Sequence, residues 1–218
     1  LMLMSAASSA TSTTNGRQAV AVCDYLLYYP FIDTDAIGEE QVMDNTVTLP
    51  RYAAQGGQVV AVAQSAASAI GQFTFSYTNQ DGVSGRTSQN NYTFIVAGGG
   101  QVVGASGAGA SYNPFCYLQV GDTAVRSIES VTMSAAGGGL MCLVIVKPLI
   151  KTVVSQECRR TTTGNLESYG ACTELSSVIH QAGAPRILDG AVIGLLAAGY
   201  SGSLASSILS GALEVIWN

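Results

Sequence analysis

The only histidine of the 218-residue chain is His180, in Ile179-His180-Gln181. One imidazole cannot supply a cluster of histidine metal ligands, but it can serve as a general base beside a serine or cysteine nucleophile. A serine nucleophile of that kind is expected on a sharp strand-to-helix elbow of the form G-x-S-x-G. The nearest matches are Gly104-Ala105-Ser106-Gly107-Ala108 and Gly199-Tyr200-Ser201-Gly202-Ser203, and each lacks the final glycine. Neither lies between a strand pattern and a helix pattern. A hydrolase using His180 is therefore the weaker expectation, and His180 reads as a loop or core residue.

Asp33-Thr34-Asp35 places two carboxylates two residues apart, a spacing that can chelate a hard cation. Glu39, Glu40 and Asp44 follow, but not at the spacing of a calcium-binding loop. A solvated acidic loop is the simpler reading. Gly98-Gly99-Gly100 and the glycines of 104–109 lack the lysine and following helix that a phosphate cradle requires. They suit turns and close backbone approach. Asn91-Tyr92-Thr93 fits a glycosylation sequon, which carries little weight without a secretory signal. Tyr25, Tyr28, Tyr29 and Phe31 form an aromatic cluster that can bind a sugar or a partner, although strand packing is the commoner cause.

The five cysteines, Cys23, Cys116, Cys142, Cys158 and Cys172, are odd in number and contain no C-x-x-C pair. They resemble neither a disulfide framework nor a zinc site, and are expected as small buried apolar residues in a reducing compartment. No catalytic, cofactor-binding or metal-binding residue is assigned from the sequence.

The elements that would carry these groups are mostly strands. Gln18 to Tyr28 is apolar on both faces of a two-residue period, so both faces should be covered, with Pro30 ending the strand. Asp33 to Asp44 reads as a loop, Thr46 to Leu49 as a short strand stopped by Pro50, and Gln58 to Ala63 as another strand. Phe73, Phe75 and Tyr77 alternate with Thr74, Ser76 and Thr78 before a turn at Asn79-Gln80-Asp81-Gly82, which makes the clearest hairpin. Its return strand is expected from Val83 toward Val96, with a bulge near Gly85. Further turns are expected at Gly121-Asp122 and Gly137-Gly138-Gly139.

Ala124 to Met133 alternates, with Val125, Ser127, Glu129 and Val131 opposite Arg126, Ile128, Ser130 and Thr132. Leu140 to Val146 is nearly continuously apolar, which predicts an interior strand ended by Lys147-Pro148. Thr161 to Gln181 alone has helical spacing, through Leu166, Tyr169, Cys172 and Leu175. Ile187 to Trp217 returns to β character, with turns at Gly199 to Gly202 and near Gly211.

This pattern predicts an all-β fold, a β-sandwich or jelly roll with an extended N-terminal arm. The expected divisions are an arm at 1–17, a sandwich at 18–150, and a C-terminal β segment at 151–218 that packs on the core or on a neighbour. The arm, SAASSATSTTNG at its centre, is too polar and small to order alone and needs a surface, its own domain or a neighbouring subunit. No stretch of about 20 uninterrupted apolar residues exists, so no transmembrane helix is expected. Leu1-Met2-Leu3-Met4 lacks the basic flank and apolar run of a signal peptide.

Charged residues are 11% of the chain and apolar residues 48%. An ordinary soluble domain carries about 25% charge, and interface cores are depleted in it, so much of this surface is expected to be covered by partners. The net charge of −5, with the nine basic residues scattered, gives no footprint for nucleic acid.

Several phrases resemble those of small virion proteins of tailed bacteriophages. They are Asn45-Thr46-Val47-Thr48-Leu49-Pro50-Arg51-Tyr52, the stretch Phe73 to Gly82, Gly121-Asp122-Thr123-Ala124-Val125-Arg126-Ser127-Ile128, Leu143-Val144-Ile145-Val146-Lys147-Pro148 and Ile187-Leu188-Asp189-Gly190-Ala191. The resemblance is to capsid cement or decoration proteins. It implies a β-rich, non-enzymatic subunit, often a homotrimer, that binds the major capsid protein on the outside of the shell and bridges capsomers. It also implies assembly in the host cytoplasm, and it brings no cofactor. A tail, collar or adhesion subunit is the alternative.

Overall fold

The computed structural model describes residues 2–10, 18–93, 95, 98–100, 102, 104–105, 114–154, 159–160, 166–167, 174–177, 187–199 and 207–215. Every regular element among them is a strand, so the fold is all-β. In chain order these are β1 (Met2–Ala10), β2 (Gln18–Asp33), β3 (Glu40–Val42), β4 (Gln58–Ala63), β5 (Gln72–Asn79), β6 (Arg86–Thr87), β7 (Asn91–Thr93) and β8 (Gly104–Ala105). They continue as β9 (Val125–Ala135), β10 (Leu140–Val154), β11 (Arg159–Arg160), β12 (Leu166–Glu167), β13 (Glu174–Ser177), β14 (Ile193–Gly199) and β15 (Ser207–Val215).

Two compact units emerge. One is Asp24–Pro148 with Ala191–Ile193; the other is Leu1–Cys23, Leu149–Gly190 and Gly194–Asn218. The boundaries at 23/24 and 148/149 fall inside β2 and β10.

In the larger unit two sheets contribute to one core. The first runs β3-β9-β5-β7-β8, with β6 beside β5; the second takes β2, β10 and β4 in that order. Phe73, Phe75 and Tyr77 of β5 are buried against Val125, Ile128, Val131 and Met133 of β9. The same cluster takes in Leu26, Tyr29 and Ile32 of β2, Val59 and Ala61 of β4, and Met141, Leu143 and Ile145 of β10. The result is sandwich-like and curled at one corner. There Gly57 and Val125 exchange backbone hydrogen bonds of 2.9 and 2.8 Å. A side chain at Gly57 would run into the Val146 carbonyl, so glycine is what lets the strands meet.

In the other unit β1 lies between β13 and β15, antiparallel to both. The arm is extended as expected, and its backbone neighbours come from the same chain. Pairing with β15 runs from Met2↔Val215 to Ala10↔Ser207, and pairing with β13 covers Leu3 to Ala6, so the backbone polar groups of this segment are used in ladders.

Several boundaries differ from the sequence reading. β2 continues through Pro30, and β10 through Lys147-Pro148 to Val154. The pairing of β4 with β10 ends at Val146↔Gln58, so Pro148 falls where one side of β10 has no described partner strand and a missing N–H costs little. Thr46 to Leu49 is not a strand: the Asp44 carboxylate accepts the Thr46 N–H at 2.8 Å and turns the chain, and only Leu49 is buried. Glu40–Val42 inside the expected acidic loop pairs with β9 instead. The helical spacing over 161–181 fails, because Leu166–Glu167 and Glu174–Ser177 are strands with cross-strand partners; Tyr169 and Cys172 lie outside the described residues. Gly211 is paired with Ala6 inside β15 and is not a turn.

The hairpin return strand splits into β6 and β7. Pairs 76↔87 and 73↔91 differ by one residue in register, so an extra residue is accommodated between them. Phe94 and Val96 lie outside the described residues. In β9 the simple alternation slips as well: Val125, Ile128, Val131 and Met133 are buried, opposite register shifts in β5 at Ser76/Tyr77 and Thr78/Asn79.

Candidate functional site

Two carboxylates are drawn inside the larger unit, each by an arginine. Asp24, fully buried on β2, takes the Arg51 Nε–H and Nη2–H at 2.7 Å each. The Val192 N–H donates to the same carboxylate at 2.9 Å, and Arg51 also donates to the Tyr25 carbonyl at 3.1 Å. The Tyr25 N–H donates to the Val192 carbonyl at 2.8 Å. The local fold explains the geometry. Pro50 and the left-handed backbone of Tyr52 (φ 55°) bend the chain around Arg51, and the Lys147 ammonium sits 5.4 Å from the Tyr52 ring centre.

Asp122 forms the second centre. Its oxygens accept from Tyr77 Oη at 2.6 Å, Asn79 Nδ2 at 2.9 Å, and Arg86 Nε and Nη2 at 2.9 and 3.3 Å. The Arg86 guanidinium holds the Asp122 carboxyl at about 2, with the Tyr77 and Asn79 bonds adding to the effect against the opposing pull of burial. Burial, reinforced by the hydrogen bond it gives Asp122, pushes the Tyr77 phenol up to about 12. Gly121 (φ 95°) and the Asp122 N–H, bonded to the Gln119 carbonyl, make the expected turn that delivers the carboxylate.

Both centres are saturated. Every oxygen of each carboxylate already accepts from the chain itself, so neither is presented to a substrate as a base. The described thiols are similarly withdrawn: burial pushes Cys23 and Cys116 up to about 12 and raises Cys142. A thiol that keeps its proton is not a nucleophile. Cys158, Cys172 and His180 lie outside the described residues, as do Ser106 and Ser201. Two buried polar atoms, Arg126 Nε and Glu129 Oε2, have no hydrogen-bond partner among the described residues. The other Glu129 oxygen is capped by the Thr78 and Ser127 hydroxyls.

The sequence candidates are dispersed. Asp33 and Asp35 are used in loop geometry: Asp33 Oδ1 accepts the Asp35 N–H, and Asp35 Oδ1 accepts the Gly138 N–H. No group of three or more His, Cys, Asp or Glu suited to a metal ion occurs among the described residues. Asn91 is fully buried and holds Tyr117 through its carbonyl oxygen, at 2.7 Å from the Tyr117 N–H. Gly99 and Gly100 pack on the end of β4, where the Gly100 N–H donates to the Ala63 carbonyl at 2.7 Å.

The aromatic cluster divides. Tyr29 is buried, with its hydroxyl donating to Asn45 and accepting from the Ile128 N–H, whereas Tyr28 and Phe31 are 66% and 73% exposed. Phe31 has φ 62°, and its N–H is taken by the Gln64 side chain at 2.6 Å. Sequence reading missed the Asp24–Arg51 pair, although a carboxylate set among Val20, Val22 and Leu26 on a covered face signals a buried cationic partner.

Comparison with protein-family models, with curated proteins and with solved structures gave no match in any of the three. Among the described residues no helix is long and apolar enough to cross a membrane.

Proposed function

We propose that this chain is a structural protein of a tailed-bacteriophage virion, a cement or decoration protein that binds the outer capsid surface and bridges capsomers. The observation that carries the reading is where the polar chemistry lies. The strongest charged groups are turned inward and fully used, as in Asp24–Arg51 and Asp122–Arg86, while large apolar side chains stand outside. Val42, Phe31 and Val120 are 78%, 73% and 86% exposed in a chain with only 11% charge. A protein that keeps such side chains on its surface has a use for them in contact. The resemblance noted in the sequence supplies the partner, the major capsid protein, and the trimeric form.

Binding only the assembled shell would stabilise it by mass action, and many copies on a symmetric lattice would add avidity. The test is rebinding. Purified protein added to stripped capsids is expected to sediment with them and to raise the temperature at which they release DNA. Gel densitometry of virions is expected to give hundreds of copies per particle. A few copies, located at the tail, would move the chain to a tail or collar role. No sedimentation with shells at native salt would end the proposal.

A further inference from the structure

Among the described residues β13 and β15 are held in one sheet only by β1, which lies between them. Every residue of β1 pairs with β15, from Met2↔Val215 to Ala10↔Ser207, and Leu3 to Ala6 pair with β13 on the other side. Without β1, each C-terminal strand would turn a row of unpaired N–H and C=O groups toward the gap. Such an edge is a template for a strand of matching register. The gap between β13 and β15 is therefore a strand-binding slot, and the register identifies its ligand as residues 2–10 of this sequence.

Two features bear on which copy supplies that strand. The first is order of synthesis. β1 precedes β2, whereas its partners lie at 174–177 and 207–215, so β1 has no partner strand until the intervening chain has been made. Through that interval the β1 of a neighbouring copy fits the slot as well as the chain's own. The second is how weakly the strand is tied to one chain. The stretch joining it to β2, Thr11-Ser12-Thr13-Thr14-Asn15-Gly16-Arg17, has no apolar residue to anchor it in a core. A stretch of that length can reach at most about 25 Å. β1 itself reads MLMSAASSA, with no aromatic or β-branched residue. Its hold is chiefly the backbone ladder, which is the same whichever copy donates it.

We propose that β1 is a donor strand exchanged between copies of this chain, so that the slot between β13 and β15 takes residues 2–10 of a second copy in the same register. Exchange keeps every pairing and so costs no hydrogen bond. A short tether gives the chain's own strand an effective concentration of roughly millimolar, so exchange grows as copies fold at high concentration. The proposal does not depend on the capsid reading. Reciprocal exchange closes a dimer, and cyclic exchange closes a larger ring.

Two full-length variants test it, Ala7→Cys in a tagged copy and Ser210→Cys in an untagged one. The two positions face each other across the β1–β15 ladder. The copies are unfolded together, refolded at rising concentration and oxidised, and disulfide-linked pairs are resolved on a non-reducing gel. Ala6→Cys with Gly211→Cys is run in parallel, because neighbouring antiparallel pairs alternate between closer and wider spacing. Ala7→Cys with Ser207→Cys is the control, since Ser207 faces Ala10 and lies out of register with Ala7. Far-ultraviolet circular dichroism matching the wild type selects the variants that fold. The expected result is a tagged–untagged dimer, roughly fivefold or more above the control for an in-register pair and rising with concentration, since a disulfide forms only between closely placed residues. If both in-register mixtures give no more dimer than the control at the highest concentration, β1 stays on its own chain and the proposal is overturned.

Discussion

Replacing Arg51 with methionine tests whether the Asp24 centre is a structural lock. The substitution preserves most of the side-chain length and removes two 2.7 Å charge-assisted bonds to Asp24 and a 3.1 Å bond to the Tyr25 carbonyl. Asp24 remains at 0% exposure, with only the Val192 N–H as donor. Stranding a buried charge in this way costs about 3–5 kcal/mol. For a chain of this size that corresponds to a fall in Tm of roughly 6–20 °C. Adding Asp24→Leu removes the stranded charge. The Val192 N–H it frees belongs to a residue that is 59% exposed and can turn to water, so the double variant should recover most of the loss. Urea unfolding should be followed by both tryptophan fluorescence and far-ultraviolet circular dichroism, because two compact units need not melt together. Hydrogen exchange at the Tyr25 N–H, which bonds the Val192 carbonyl, should quicken in the single variant. A loss below about 1 kcal/mol, or a double variant no more stable than the single, would refute the lock and place the pair among ion pairs of no net consequence.

Three further outcomes are expected. Gly139→Ala should destabilise the fold by about 1–3 kcal/mol, since its φ of 143° is outside the range of other residues and a Cβ there would overlap the Ala66 carbonyl; thermal melting checks it. The Asp122 carboxyl, folded at about 2 against an ordinary 3.8, contributes stability above pH 3.8 that fades as pH falls toward 2. The Tyr77 phenol, folded at about 12 against 10, contributes stability below pH 10 that is lost as pH rises through 12. Asp122→Asn should flatten the acid limb of a pH–stability curve, and absorbance of tyrosinate should place one late-titrating phenol. Finally, Cys23, Cys116 and Cys142 should resist a thiol reagent at mildly alkaline pH until urea unfolds the chain, because burial keeps each protonated.

How much of this was legible depended on whether the cause was local. β4 and the core face of β5 follow directly from residue order: Phe73, Phe75 and Tyr77 alternate with polar residues, and Asp81-Gly82 closes the turn, with Gly82 at φ 80°. β9 obeys the same rule until pairing intervenes. Its buried apolar residues fall at 125, 128, 131 and 133 because β5 opposes it with shifted register, and no pattern within β9 alone encodes a shift imposed by its neighbour. Pro30 and Pro148 are read locally as strand ends, yet whether a missing N–H matters depends on which strand lies alongside. Tyr28 and Phe31 belong to the same class. In β2 the core positions run Leu26, Tyr29, Ile32, two slips from strict alternation, and the second slip coincides with Pro30 and the left-handed Phe31. That pair of irregularities leaves Tyr28 exposed at the end of a stretch whose residue order predicts coverage on both faces, and Phe31 exposed just beyond the expected strand end at Pro30.

The distribution of charge links this geometry to the proposed role. A chain with 9 basic and 14 acidic residues has few cations to distribute. Arg51 and Arg86 neutralise carboxylates that would otherwise be untenable inside, and Arg126 ties the Ala54 and Gln80 carbonyls. None of the three is free to balance the acidic excursion at 33–44. Relocating one arginine to that loop would quiet its field but strand Asp24 or Asp122. Three of the nine basic residues are thus held by internal partners, while residues 33–44 carry five carboxylates and no lysine or arginine.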